Sequence, residues 1–154
     1  MKYNIAGTGL EMVVAIALIA GLAVSAHAEG PCSTARAAGN WSFNDNGTVV
    51  GIGPRIAVGT LTLDDAGNVL NGQGTSSLNG ATADETFSGT YTVSPNCNGT
   101  INVTIYSSGV ELFTVKLNAA FDRNMRHMRA LFTSVVEPNG TSLPTVIGLD
   151  ASKQ

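Results

Sequence analysis

Charge is scarce in this chain. Only 12% of its 154 residues are Asp, Glu, Lys or Arg, and the formal net charge is -3. Both signs are scattered, with no basic stripe, which excludes the usual electrostatic footprint of a nucleic-acid-binding protein. Histidine is limited to His27 and His127. A histidine-based metal site would therefore need carboxylate or thiolate help that no cluster supplies. There is no Cys-x-x-Cys pair and no Gly-x-Ser-x-Gly elbow, although hydroxyls are plentiful. The acids Asp64, Asp65, Asp84 and Glu85 fall in or beside expected turns, where such residues serve backbone geometry. No catalytic residue, metal or cofactor is expected, and the chain does not read as an enzyme.

One apolar run does stand out. "MKYN" carries a Lys, Met12 to Ala26 is continuously apolar, and Ala26-His27-Ala28 precedes Glu29. A positive start, an apolar stretch and a small-x-small site form the layout of a secretory signal peptide, here residues 1–28. The run is shorter than the roughly 20 residues of a transmembrane helix, so no stable membrane span is expected after cleavage. Glu11 at the head of "GLEMVVAIALIAG" resembles type IV pilin N-termini, a competing reading of the same segment. Residues 29–154 then form a single domain, long enough to bury its own core. Losing Lys2 and Glu11 leaves its net charge at -3.

What is abundant in that domain is Gly, Thr, Ser and Asn, in short alternating runs with no long period-3.6 segment. The pattern predicts strands at 40–44, 55–63, 69–78, 85–93, 97–106, 110–117, 124–134 and 145–151. "NDNG" (Asn44–Gly47), "DDAGN" and Asn79-Gly80 read as turns. In "ETFSGTYTV", Phe87, Gly89, Tyr91 and Val93 share one face. Residues 122–134 admit a short helix, since Met125, Met128 and Phe132 fall at i, i+3 and i+7, but the continuation into "TSVV" favours strand. Eight consecutive strands joined by short turns predict an all-β fold, an eight-stranded antiparallel up-and-down β-barrel, because closure removes exposed edges. A two-sheet sandwich is the alternative. In an oxidising compartment Cys32 and Cys97 would form a disulfide closing about 65 residues.

The runs "VGTLTLDDAGNVLNGQGT" and "TFSGTYTVSPNCNGTINVTI" resemble a family of small secreted bacterial proteins of unknown function. The likeness covers about residues 32–151 and speaks to fold rather than activity. Cys32 followed by Gly39-Asn40-Trp41 is similar to the start of calycin barrels, the lipocalins and avidins. In those families a Trp on the first strand plugs the barrel base and a basic residue near the last strand often covers it. Here Lys153 lies just past the expected last strand and Arg129 on the strand before it.

These readings point to a secreted or periplasmic binding module for a small hydrophobic or amphipathic ligand. Its expected lining is Trp41, Phe43, Phe87, Tyr91 and Phe113. His127 and Arg129 would join it if they face inward to meet an anionic group; the preferred reading makes the Arg123–Arg129 run a solvated face that pairs with scattered Asp and Glu. One alternative is a structural or cell-surface interaction protein that presents its Thr/Asn-rich outer face. Another is a barrel enzyme of the allene-oxide-cyclase type, which would bring His127 and Glu111 or Asp150 together inside the barrel.

Overall fold

The computed structural model describes residues 30–154. The expected signal peptide, its cleavage site and the pilin-like segment lie outside the described residues. A one-turn helix α1 (Thr34–Ala37) precedes eight strands: β1 (Gly39–Val49), β2 (Gly53–Leu63), β3 (Asn68–Leu78), β4 (Ala81–Val93), β5 (Asn98–Ser107), β6 (Val110–Phe121), β7 (His127–Val136) and β8 (Thr145–Lys153). Each strand pairs antiparallel with its sequence neighbour, and β8 returns to β1, closing an up-and-down barrel. Closure rules out the sandwich. Among the described residues it also leaves no edge strand, since every strand has a neighbour on both sides.

The hairpin turns follow from local chemistry. Asn79 and Gly80 have φ of 49° and 87°, as a type I′ turn requires, and Ser108–Gly109 repeats the arrangement at 50° and 78°. One local expectation is corrected. "NDNG" is not a turn: β1 runs through it, with Asp45 opposite Ala57 and Asn46 opposite Ile56. Its glycine serves close packing, since a Cβ at Gly47 would stand 2.0 Å from the Val146 carbonyl oxygen on β8. Ladder pairing on both sides outweighs the turn propensity of Asn-Asp-Asn-Gly, and the reversal moves to 50–52. At 122–134 the strand reading holds over the helical alternative, with the strand itself beginning at His127. This segment is a tight turn around Met125 and then a strand, and the helical spacing of Met125, Met128 and Phe132 has no helix behind it.

One end of the barrel, the base, is closed by α1. Ser33 caps the helix by accepting from the Arg36 N–H. Trp41 is fully buried there, its Nε1 donating to the Ala37 carbonyl at 2.9 Å, with its ring edge-on to Phe121 at 6.0 Å between centroids. Lys153 packs against Gly39 and donates from Nζ to the Arg36 carbonyl. A disulfide joins Cys32 to Cys97 beside this helix, with Cα atoms 5.0 Å apart. Such bridges belong mostly to proteins outside the reducing cytoplasm. Among the described residues no helix is long and apolar enough to cross a membrane.

Tyr91 shows how the base is locked. Its ring is buried, and its hydroxyl lies within hydrogen-bonding distance of the carbonyls of Asp64 and Thr34, tying β4 to the β2–β3 turn and to α1. Burial, reinforced by the charges of Asp64 and Asp65, pushes its pKa from 10.0 to about 12. A phenol whose folded pKa is raised adds stability that is complete below its ordinary pKa. That stability is lost as the pH rises through the folded value. Tyr91→Phe is therefore expected to cost about 1–2 kcal/mol near neutral pH. The loss should shrink in alkaline solution as pH passes about 12. Urea unfolding across pH, alongside the ultraviolet phenolate signal, reads both; an unchanged neutral-pH stability would contradict this role.

Candidate functional site

Period-two alternation sends one face of every strand inward. In β1 the inward row is Trp41, Phe43, Asp45 and Val49. In β2 it is Arg55, Ala57, Leu61 and Leu63, and in β4 Glu85, Phe87 and Tyr91. Three charged residues thus enter the interior with the aromatics. Asp45 is 2% exposed, Arg55 8% and Glu85 6%.

They form one cluster. The Arg55 guanidinium meets Glu85 in a two-point contact, Nη1 to Oε1 at 3.0 Å and Nη2 to Oε2 at 2.9 Å. Ser76 Oγ donates to Glu85 Oε1 at 2.7 Å. Arg55 Nη2 also reaches Asp45 Oδ2 at 3.4 Å. Asp45 Oδ1 is buried without a hydrogen-bond partner among the described residues. Burial alone would lower the Arg55 pKa, but its hydrogen bonds to Glu85 and the charges of Asp45 and Glu85 outweigh it and hold the guanidinium above its ordinary value. Asp45 moves up. Its burial and the nearby Glu85 charge outweigh the pull of Arg55 and of the Ala57 amide, which is not in bonding geometry to Oδ1.

The cluster forms one end of an apolar cavity of about 50 Å³. Phe43, Phe87, Leu61, Val103, Ile105, Met128 and Leu149 are among its walls. Glycines make room for the two aromatic rings. A Cβ at Gly59 would lie 2.8 Å from Phe43 Cε1, and one at Gly72 2.3 Å from Phe87 Cδ2, so both rings rest close against bare β2–β3 backbone. The rings themselves meet edge to face at 5.5 Å. A second void of about 20 Å³ shares the Arg55, Ile105, Val115 and Phe132 walls and extends toward Phe113 and Leu143 under the β7–β8 loop. A water needs roughly 10–15 Å³ of such space, so the main cavity has room for about three or four waters, the bulk of about four heavy atoms. It is well below the roughly 300 Å³ at which drug-sized sites begin.

No protein-family model, curated protein or solved structure matches this chain.

The interior thus brings together part of the lining expected from sequence. Phe43 and Phe87 face the main cavity, while Phe113 borders the smaller one. Trp41 and Tyr91 lie at the base, outside both linings. His127 and Arg129 do not point inward: His127 is exposed with Nδ1 3.1 Å from Ser152 Oγ, and Arg129, 88% exposed, pairs with Asp150 on the outer wall. The reason is register. Met128 and Ala130 occupy the inward positions of β7, which leaves His127, Arg129 and Leu131 outside. Glu111 and Asp150 are likewise external, so the polar grouping expected for a cyclase-type enzyme does not form from these residues. Among the described residues no group of three or more His, Cys, Asp or Glu could hold a metal ion.

Sequence reasoning missed Asp45, Arg55, Glu85 and Ser76. The signal was present in the alternation: Asp45 is two residues beyond Phe43, Glu85 two before Phe87, and Arg55 in step with Leu61 and Leu63. Reading "NDNG" as a turn, and Glu85 as a turn-flanking acid, removed two of the three from the inward face.

Proposed function

We propose that this is an exported binding barrel that holds a small amphipathic molecule in its interior. The observation that carries the reading is the apolar cavity whose one polar end is the Asp45–Arg55–Glu85 cluster, with an acceptor oxygen of Asp45 left without a partner. A buried acceptor without a donor costs free energy. A guest with a donor group and an apolar body would remove that cost while filling the space beside Phe43 and Phe87. The expected leader sequence supports export, and the disulfide suits an oxidising compartment. The Trp41 plug and the Lys153 contact over the base support the calycin-like reading.

A second reading rests on the outer wall. Ile56, Val58 and Val146 are exposed on β2 and β8, with Val50 and Ile52 on the turn beside them, an apolar area that would suit contact with another macromolecule. Native mass spectrometry of protein purified from its own host separates the two. The binding reading expects added mass from a small molecule, and a rise in melting temperature when the small-molecule fraction of a host extract is returned. A bare mass with no such rise overturns it, and a stable oligomer under those conditions favours the second reading.

A further inference from the structure

The polar end of the cavity lacks a cation. Two carboxylates, Asp45 and Glu85, face a single guanidinium. Glu85 is the better satisfied of the two, with both nitrogens of Arg55 and the Ser76 hydroxyl. Asp45 has one long contact, and its Oδ1 has no partner among the described residues. Its side chain faces the cavity and is 2% exposed, so bulk water does not solvate that charge. The rings of Phe43 and Phe87 border the same space. A carboxylate oxygen beside aromatic rings is the pairing that recognises an ammonium group, through a charge-assisted hydrogen bond and cation–π attraction.

Charge at the rim agrees. The turns and strand ends opposite α1 carry Asp84, Glu111 and Glu137, and residues 46–54, 76–84, 106–112 and 134–146 contain no Lys or Arg. That end attracts cations, while at the base Arg36, Arg123, Arg126 and Lys153 outnumber Asp64, Asp65 and Asp122.

We infer that the guest is a short aliphatic amine in its protonated form, with its ammonium on Asp45 Oδ1 and its alkyl part in the apolar cavity. The inference rests on the binding reading above and specifies its ligand class. A carboxylate guest of similar size would meet the two acids and is disfavoured. Arg55 offers it no free two-point contact, being already engaged by Glu85.

The test uses three probes of matched size, propylammonium, 1-propanol and propionate, titrated into the intact protein. Methyl NMR signals of Val103 and Leu149 in the cavity wall report binding. Propylammonium is expected to bind about tenfold or more tightly than 1-propanol, with propionate weakest. In Asp45→Asn, which keeps the shape but loses the charge, that preference is expected to vanish. If 1-propanol or propionate binds as well as the amine, the amine inference fails and the cavity stands as a binding site. If no probe moves the cavity signals, water is the occupant, and both the binding reading and this inference fail. A preference that persists in Asp45→Asn also overturns it. Should that variant not fold, the order of the three affinities in the native protein decides.

Discussion

Replacing Arg55 with methionine should destabilise the barrel by about 3–5 kcal/mol, the usual cost of removing one partner from a buried ion pair. Methionine fills similar space, so the loss reports charge rather than volume. Asp45 and Glu85 would then face each other in an apolar interior without a counter-ion, and Ser76 alone would hydrogen-bond to Glu85. The comparison that gives this number meaning is the variant Asp45→Asn/Arg55→Met/Glu85→Gln. Removing all three charges together leaves no stranded ion, and replacing buried ionic groups by neutral ones of similar volume is often neutral or stabilising. The triple variant is therefore expected to recover most of the stability in urea unfolding. It should also lose the amine preference. Recovery of stability with loss of binding would mean that the cluster is kept for recognition rather than for the fold. A loss below about 1 kcal/mol in the single variant would show that the charges are better solvated than their burial implies.

Removing the bridge between Cys32 and Cys97, by reduction or by a double change to serine, should cost about 4 kcal/mol. The closed loop spans 65 residues, and loop-closure entropy scales with its logarithm. For a domain of this size each kcal/mol shifts the melting temperature by roughly 3–5 °C, so a fall of about 10–20 °C is expected. The damage should be local before it is global. α1 has a single helical turn and depends on the bridge, on the Trp41 Nε1–Ala37 bond, and on Lys153 for its position. Hydrogen exchange should therefore rise first in 32–38 and around Trp41, while cavity-wall strands β5 and β6 stay protected. Uniform loss of protection, or a shift of only a degree or two, would count against this view.

Much of the architecture was legible because its signals are local. Strict alternation in "ETFSGTYTV" and "NGTINVTIYS" assigns faces residue by residue, and Asn79-Gly80 sets a hairpin by backbone conformation alone. Eight such segments in order leave closure as the economical outcome. Where the reading went astray, a long-range interaction outweighed a short-range preference. Asn44–Gly47 has turn chemistry, yet pairing with β2 on one side and β8 on the other carries the strand straight through it. At 122–134 the strand reading holds over the helix-like spacing of Met125, Met128 and Phe132, because β7 pairs with β6 and β8.

The candidate site was harder to read for a further physical reason. A charged residue on an inward face is tolerable only if its counter-charge stands opposite. The partners here are separated by 10 residues for Asp45–Arg55 and 30 for Arg55–Glu85. Nothing in a local window announces such a partner, so turn-flanking acids read as surface. The inward placement of His127 and Arg129 erred in the opposite sense: Met128 and Ala130 hold the inward positions, and the solvated-face reading of that charged run is the one the barrel realises. The sequence by itself determined the strand faces, most of the turns and the closed eight-strand meander, because these depend on neighbours within a few residues. Only the tertiary structure decided that α1 and Trp41 close the base, that Asp45, Arg55 and Glu85 meet inside beside an apolar cavity, and that one buried carboxylate oxygen of Asp45 is left without a partner. Those outcomes depend on which side chains barrel closure brings together, and that is a property of register and curvature summed over all eight strands.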